Sequence, residues 1–346
     1  MKQKQKFTDG KRGNLMENIA AKINIPTTKA WASDIREFAE IIEETLEHIY
    51  PSGRVVIHEQ IKNNGLKRIG ISVREDGCSV APIVYLEELY QEYLAGKPLA
   101  EICRIVTETS RSPERYKYGN ISSFADFSVA RERICYKLVN AEKNADLLKE
   151  IPHRLWQDLA VIYYILVSKE PEGISGITIK NSMASLWDVD ENTLYETAGQ
   201  NTPAFFGDKI MPVTEVMEQL SKEIPEGEIK EISGMEQEGL SDGWLPLYIV
   251  SNGCCINGAI AMLYDGLLEK FAGEIGGDFY ILPSSIHETI FIPALPSVEE
   301  GELLEIVHRV NAGHVAPEEF LSDNVYRYHA GDGCVRAVRW EWQRLT

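Results

Sequence analysis

An Asn-Gly pair at 64–65 lies between two stretches that alternate apolar and polar residues, with Val55, Ile57 and Ile61 before it and Ile69, Ile71 and Val73 after it. Asn-Gly supplies the left-handed residues of a type I′ turn, so the first strand pair along the chain is local and antiparallel. Just before it, Trp31, Ile35, Phe38, Ile42, Leu46 and Ile49 recur every three to four residues among acidic ones. That spacing predicts an amphipathic helix from about Lys29 to Ile49, capped by Thr27 or Thr28 and stopped by Pro51. Further on, helical and strand patterns interleave without a regular βαβ period. The expected class is therefore α+β, with mixed, largely antiparallel sheet elements and flanking helices.

Asp76-Gly77 turns the chain into Pro82–Thr109, which reads as two short helices broken by Gly96-Lys97-Pro98. The pattern lapses from Tyr116 to Asn120. Beyond it come a strand or helix at Ile134–Leu138, an apolar run at Leu159–Val167 and a strand at Ile174–Ile179. A helix opens at Glu191 after Asp190, a strand covers Leu247–Val250 and a helix Ala259–Ala272. Two strands follow within Phe279–Ile292, joined at Pro283-Ser284-Ser285, and a helix spans Glu299–Val310. The expected organisation is a basic, flexible segment 1–28, an N-terminal α+β subdomain 29–118 and a C-terminal α+β subdomain 119–346. The last two can also be read as one continuous unit.

Lys+Arg number 35 against Asp+Glu 53, a formal net charge of −18. Such an acid excess argues against a nucleic-acid backbone or an anionic membrane as a partner. The basic start, MKQKQKFTDGKR, reads as a solvated tail, and residues 215–242 as an irregular acidic excursion or an acidic interaction face. No apolar segment follows the basic start, which predicts no secretory signal, and the longest apolar run falls far short of the roughly 20 residues that cross a bilayer. The six cysteines are scattered, which favours reduced thiols and a cytoplasmic location.

Neither G-x-x-x-x-G-K-[ST] nor G-x-G-x-x-G occurs, so no phosphate cradle or dinucleotide fingerprint is expected. C-x-x-C and H-E-x-x-H are also missing. Cys254 and Cys255 are adjacent, an arrangement that suits buried packing or a redox pair better than a zinc site, and no metal or cofactor is expected. The stretch Leu282–Pro293 holds Ser285, His287 and Glu288. On an extended segment Ser285 and His287 share one face, but their β-carbons stand about 6–7 Å apart, too far for a direct nucleophile–base bond. Three readings stay open: turn chemistry, a ligand-binding site that includes Ser284, Ser285 and His287, and nucleophilic catalysis with Ser285, His287 and Glu288. Asn252 and Asn257 border a second polar loop, in which Asn257 is either the N-cap of the next helix or part of a ligand site. Tyr85, Tyr90 and Tyr93 form an aromatic face that suits core packing or a partner groove. Asp158, Asn181 and Asn201 read as satisfied structural residues.

Pro82–Tyr93 with Gly96, Ile151-Pro-His153 through Asp158-Leu-Ala-Val161, and Tyr248–Asn252 resemble a family of Gram-positive anaerobes catalogued as domain of unknown function 5688. So do Asn257-Gly-Ala259, Leu282–Glu288 and Leu321-Ser-Asp323 with Tyr326. The likeness runs from about Trp31 to Tyr328, and the Pro-Ser-Ser-Ile-His-Glu string is its most specific part. The second half is also similar to another uncharacterised bacterial family with a comparable Pro-Ser segment. The first resemblance implies one recurrent unit and an intracellular accessory role, and it supplies no activity, cofactor or catalytic residue. The expectation is a non-catalytic protein-binding or regulatory factor with an acidic surface, in one variant covering a partner's nucleic-acid site. The alternative is a small-molecule-binding or hydrolase-like protein in which the Pro283–Glu288 turn and the Asn252–Asn257 loop converge.

Overall fold

A computed structural model of the chain describes residues 32–48, 50, 54–74, 82–110, 121–170, 173–216, 218 and 246–338. The basic start, nearly all of the acidic tract 215–242 and the tail bearing Trp340 and Trp342 lie outside the described residues. The fold is α+β. The chain divides into two compact units, Met1–Lys117 and Tyr118–Thr346.

In the first unit, helix α1 (Ile35–Glu47) buries Phe38, Ala39, Ile42 and Leu46 along one stripe. Its start differs from the expected one: Ala32, Ser33 and Asp34 are not helical, and Asp34 is the N-cap. The Asp34 carboxylate accepts the Glu37 N–H at 2.8 Å, while Glu37 reaches back to the Ser33 N–H at 2.8 Å. The first bond satisfies a donor that the first helical turn leaves open, and the second ties down the residue that enters the helix.

Strands β1 (Val55–Ile61) and β2 (Lys67–Val73) pair antiparallel, with Ile57 opposite Ile71. The turn between them places Asn64 at φ 61° and Gly65 at φ 71°, both left-handed as expected. A short strand β3 (Val84–Tyr85) completes the sheet in the order β1-β2-β3. Helices α2 (Glu87–Leu94) and α3 (Leu99–Ser110) follow, separated by Gly96 at φ 100° and Pro98. Phe38, Ile42, Leu46, Ile71, Leu86, Ile102 and Val106 form the buried core, and each contributes about 1.5–3 kcal/mol by leaving water.

In the second unit, the apolar run becomes the central strand β6 (Leu159–Glu170), paired on one side with β4 (Ile134–Asn140). Its other side carries β5 (His153–Trp156) and then β7 (Gly173–Thr178). Leu159, Val161, Tyr163 and Ile165 face the main core; Ala160 and Ile162 face Leu148 and Ile151; Tyr164 and Leu166 face Cys135 and Phe206. Burial on both faces explains why the strand reads as an unbroken apolar run. Helix α4 (Glu191–Phe206), N-capped by Asp190, covers the far edge of β4. Its Thr202 hydroxyl accepts the Tyr136 N–H at 3.1 Å and its Asn201 amide donates to the Ile134 carbonyl at 2.9 Å.

A six-stranded antiparallel sheet runs in the order β13-β12-β10-β11-β9-β8. Its members are β8 (Lys209–Pro212), β9 (Tyr248–Ser251), β10 (Phe279–Leu282), β11 (Thr289–Pro293), β12 (Tyr326–His329) and β13 (Cys334–Ala337). Helix α5 (Glu300–His314) packs Leu303, Leu304 and Val307 against Tyr280, Leu282 and Ile292. The single helix expected at Ala259–Ala272 is two elements, a 3₁₀ segment Gly258–Leu263 and an α-helix α6 (Leu267–Ile275). Gly266, at φ 71°, breaks the run, although the apolar spacing continues across it.

Candidate functional site

Strands β10 and β11 are joined by Pro283–Glu288, and this turn is where the chain's most distinctive string meets three other segments. The Pro283 and Ser284 carbonyls accept the N–H groups of Ser322 and Leu321, both at 3.0 Å. Ser285 bridges Phe320, and the Ile286 N–H donates to the Glu319 carbonyl at 2.8 Å. On the other side, the Ile286 carbonyl accepts the Ala259 N–H at 3.1 Å and the His287 carbonyl accepts the Ser251 hydroxyl at 2.7 Å.

The turn therefore converges with the Asn252–Asn257 loop. Asn252, 2% exposed, staples that loop: its carboxamide oxygen accepts the Cys254 N–H at 3.2 Å and its amide donates to the Ile256 carbonyl at 2.8 Å. Asn257 is not a side-chain N-cap; it sits in the left-handed region at φ 51° and caps nothing with its carboxamide. Its backbone N–H donates instead to His287 Nδ1 at 3.2 Å. Gly258 is where the segments touch: a β-carbon there would lie 2.0 Å from the Ser251 hydroxyl and 2.5 Å from the His287 carbonyl.

The three catalytic candidates are neighbours: the Ser285 hydroxyl and His287 both act on the Glu288 carboxyl, but the imidazole does not engage the Ser285 hydroxyl. The Ser285 hydroxyl, 6% exposed with its residue, accepts the His287 N–H at 3.0 Å, the bond of a serine turn. With Nδ1 accepting from Asn257, the imidazole's other nitrogen faces a Glu319 carboxylate oxygen at 3.4 Å, not Ser285. Glu288 is half-buried; burial pushes its carboxyl above the usual range and Glu319 adds to the rise, while His287 and the Ser285 hydroxyl pull it back. The Ser284 carbonyl, rather than its hydroxyl, supplies that residue's contact.

Several partners of this cluster lack a local sequence signal. Glu319 lies 32 positions from His287. Asp158 accepts from the Ser322 hydroxyl at 2.6 Å and from the Tyr326 hydroxyl, and the Asn140 amide donates to the Leu321 carbonyl at 2.9 Å. The separate strings at 158–161, 248–252, 257–259, 282–288 and 321–326 thus form one continuous hydrogen-bonded joint. Only their co-occurrence in one family-like pattern hinted at it.

The remaining candidates are placed as follows. Tyr90 and Tyr93 pack on Phe38 with ring centroids 5.2 and 4.9 Å apart, and the Tyr85 hydroxyl donates to Gln60 at 2.8 Å. Burial pushes the Cys103 and Cys135 thiols up to about 12. Cys254 packs beside Cys135 and Phe206, and Cys255 is exposed at φ 55°. Among the described residues no group of His, Cys, Asp and Glu is arranged to hold a metal ion. None of their helices is long and apolar enough to cross a membrane.

A second concave feature lies away from the turn: an open groove of about 530 Å³ between the 3₁₀–α6 corner and the β12–β13 hairpin. Asp265, Glu269, Asp332 and Tyr328 line it. Asp332 pairs with Arg336, whereas no ion pair reaches Asp265 or Glu269 among the described residues.

The model of a family of unknown function, DUF5688, matches residues 35–330, and the chain belongs to that family. No curated protein matches the chain, nor does any solved structure.

Proposed function

We propose that this member of a family without an assigned activity is a non-catalytic binding protein that engages a basic segment of a partner protein through its acidic, tyrosine-bearing groove. The observation that carries the reading is how the Pro283–Glu288 turn is used. Its serine hydroxyl accepts from the turn's own backbone, both imidazole nitrogens have other partners, and its carbonyls hold the flanking segments. A Ser-His nucleophile needs its hydroxyl on the imidazole within about 3 Å, and here both ring nitrogens engage other groups. The net charge of −18, with Asp265 and Glu269 exposed in a concave surface beside Tyr328, favours a cationic peptide as the ligand. The same charge disfavours a nucleic-acid backbone.

A second reading rests on Glu288. A half-buried carboxyl that holds its proton to higher pH, next to His287, suits a small-molecule or hydrolase-like site in which the Asn252–Asn257 loop forms one wall.

Capture from host lysate with four baits separates the two: wild type, Asp265→Asn/Glu269→Gln, Ser285→Ala and His287→Asn. The first reading expects a stoichiometric protein bound to wild type and to the two turn variants. That protein is lost from the groove variant and lost at high salt. Retention by the groove variant, or loss from both turn variants while they stay folded, would overturn it.

A further inference from the structure

Strand β1 is an edge strand seven residues long, and among the described residues it pairs only with β2. Natural edges are usually blunted by proline, inward charge, a bulge or short length. This one, Val-Val-Ile-His-Glu-Gln-Ile, has no proline, lysine or bulge; its one charge on the helix-covered face, Glu59, is exposed and paired with Arg36, and the strand exposes Ile61 by 72% and Val56 by 39%.

The outward backbone groups can be assigned by parity. The Arg54 carbonyl accepts the Arg74 N–H at 2.8 Å and the Lys62 N–H donates to the Leu66 carbonyl at 2.7 Å, so even-numbered residues point towards β2. The N–H and C=O groups of Val55, Ile57, Glu59 and Ile61 therefore point away from the sheet. We infer that β1 pairs antiparallel with β1 of a second copy of the chain, about a two-fold axis through His58, joining two three-stranded sheets into one of six.

The register follows from three requirements. Outward residues must face outward residues, the pairing must span the strand, and no glutamate may meet its own mate. Centring on His58 satisfies all three. It sets Val55 opposite Ile61 and Ile57 opposite Glu59, in four pairs that exchange about eight backbone bonds. Shifting the axis to Glu59 would oppose two carboxylates. In the His58 register Glu59 meets an apolar residue, and its charge is already matched by Arg36 of its own chain. Ile61 gains the neighbour it lacks, Val55, which is 3% exposed and lies on the same helix-covered face. On the opposite face Val56 meets Gln60. At the ends, Lys62 is held over the Tyr85 ring, 4.3 Å from its centroid.

Sedimentation of the full chain over a concentration series, paired with cysteine cross-linking, tests the inference. Wild type is expected at twice the chain mass by about 100 µM, more so as salt screens two chains of −18 each. Ile61→Lys, at a site exposed enough to leave the monomer intact, is expected to be monomeric. In this register residue 58 faces its own mate at about 4.5 Å between α-carbons, within disulfide reach. Under mild oxidation His58→Cys is therefore expected to form a 58–58 linked dimer at least about tenfold faster than Gln60→Cys forms a 60–60 one. A wild-type monomer at high concentration and high salt would overturn the inference, as would equal cross-linking at 58 and 60. Salt acts on this self-association and on the binding of a basic partner in opposite directions, so failure of either proposal is recognisable by itself.

Discussion

Gly258→Ala tests whether the Asn252–Asn257 loop and the Pro283–Glu288 turn are one joint. The added β-carbon would lie 2.0 Å from the Ser251 hydroxyl, 2.5 Å from the His287 carbonyl and 2.7 Å from the Asn252 nitrogen, and two of these three are backbone atoms of stapled segments. Ser251 must leave the His287 carbonyl, a lost bond worth about 1 kcal/mol with its acceptor left partly buried. Forcing the backbones apart costs about 1–3 kcal/mol more, as overpacking does. The sum is about 2–4 kcal/mol. For a unit of this size that is about 5–15 °C in melting temperature, read by circular dichroism on heating and in urea. Gly273→Ala is the control: Gly273 is exposed in α6 with nothing within 4 Å, and alanine there is expected to stabilise by up to about 1 kcal/mol. A Gly258→Ala loss below about 0.5 kcal/mol would refute the contact on which the site's geometry rests.

Other perturbations have signs fixed by the same network. Tyr326→Phe takes a donor from Asp158 inside the unit and is expected to cost about 1–3 kcal/mol in urea unfolding; a neutral result would break the link between the 158–161 and 321–326 strings. Glu288 has a raised pKa from burial, so its contribution to stability is present below the ordinary carboxylate value and lost as pH rises through the folded one. Glu288→Gln should therefore gain stability relative to wild type between about pH 4 and pH 7, and an unchanged difference across that window would contradict the burial argument. Asp278 runs the other way. The Ala330 N–H lowers its carboxyl pKa most, against opposing burial, and Arg327 and His329 lower it further. Its stabilisation is present above the ordinary value and lost as pH falls through the folded one, so Asp278→Asn should flatten the acid limb of the stability–pH curve.

What could be read from the residues was what is local. The Asn64-Gly65 hairpin, the Gly96–Pro98 break and the Asp190 cap each involve groups a few positions apart, and backbone stereochemistry or one short-range side-chain bond dictates them. The helix expected over Ala259–Ala272 failed because Ile260, Leu263, Leu267 and Phe271 keep a helical spacing across the left-handed Gly266. Asp265-Gly266 is the stop signal between the two elements. Ser285 and His287 share one face only on an extended segment, whereas here the chain bends at 286–287 and the Ser285 hydroxyl accepts the His287 N–H. The partners that define the site, Glu319, Ser251 and Asn257, are 30 to 36 positions from His287, and no local pattern specifies such pairings. The same holds for the order of the six-stranded sheet, in which β12 lies beside β10 although α5 intervenes in the chain.

The most direct test of the binding account uses purified protein and a fluorescently labelled Lys/Arg-rich peptide, titrated at several salt concentrations. Three proteins are compared: wild type, Asp265→Asn/Glu269→Gln in the groove, and Glu302→Gln/Glu305→Gln on the exposed face of α5, which removes the same charge elsewhere. The account predicts saturable binding by wild type that falls steeply with salt. It also predicts at least about a tenfold loss, roughly 1.4 kcal/mol, for the groove variant and little change for the α5 variant. Equal losses in the two variants would mean that the peptide reads net charge alone, and the groove would no longer be the binding surface.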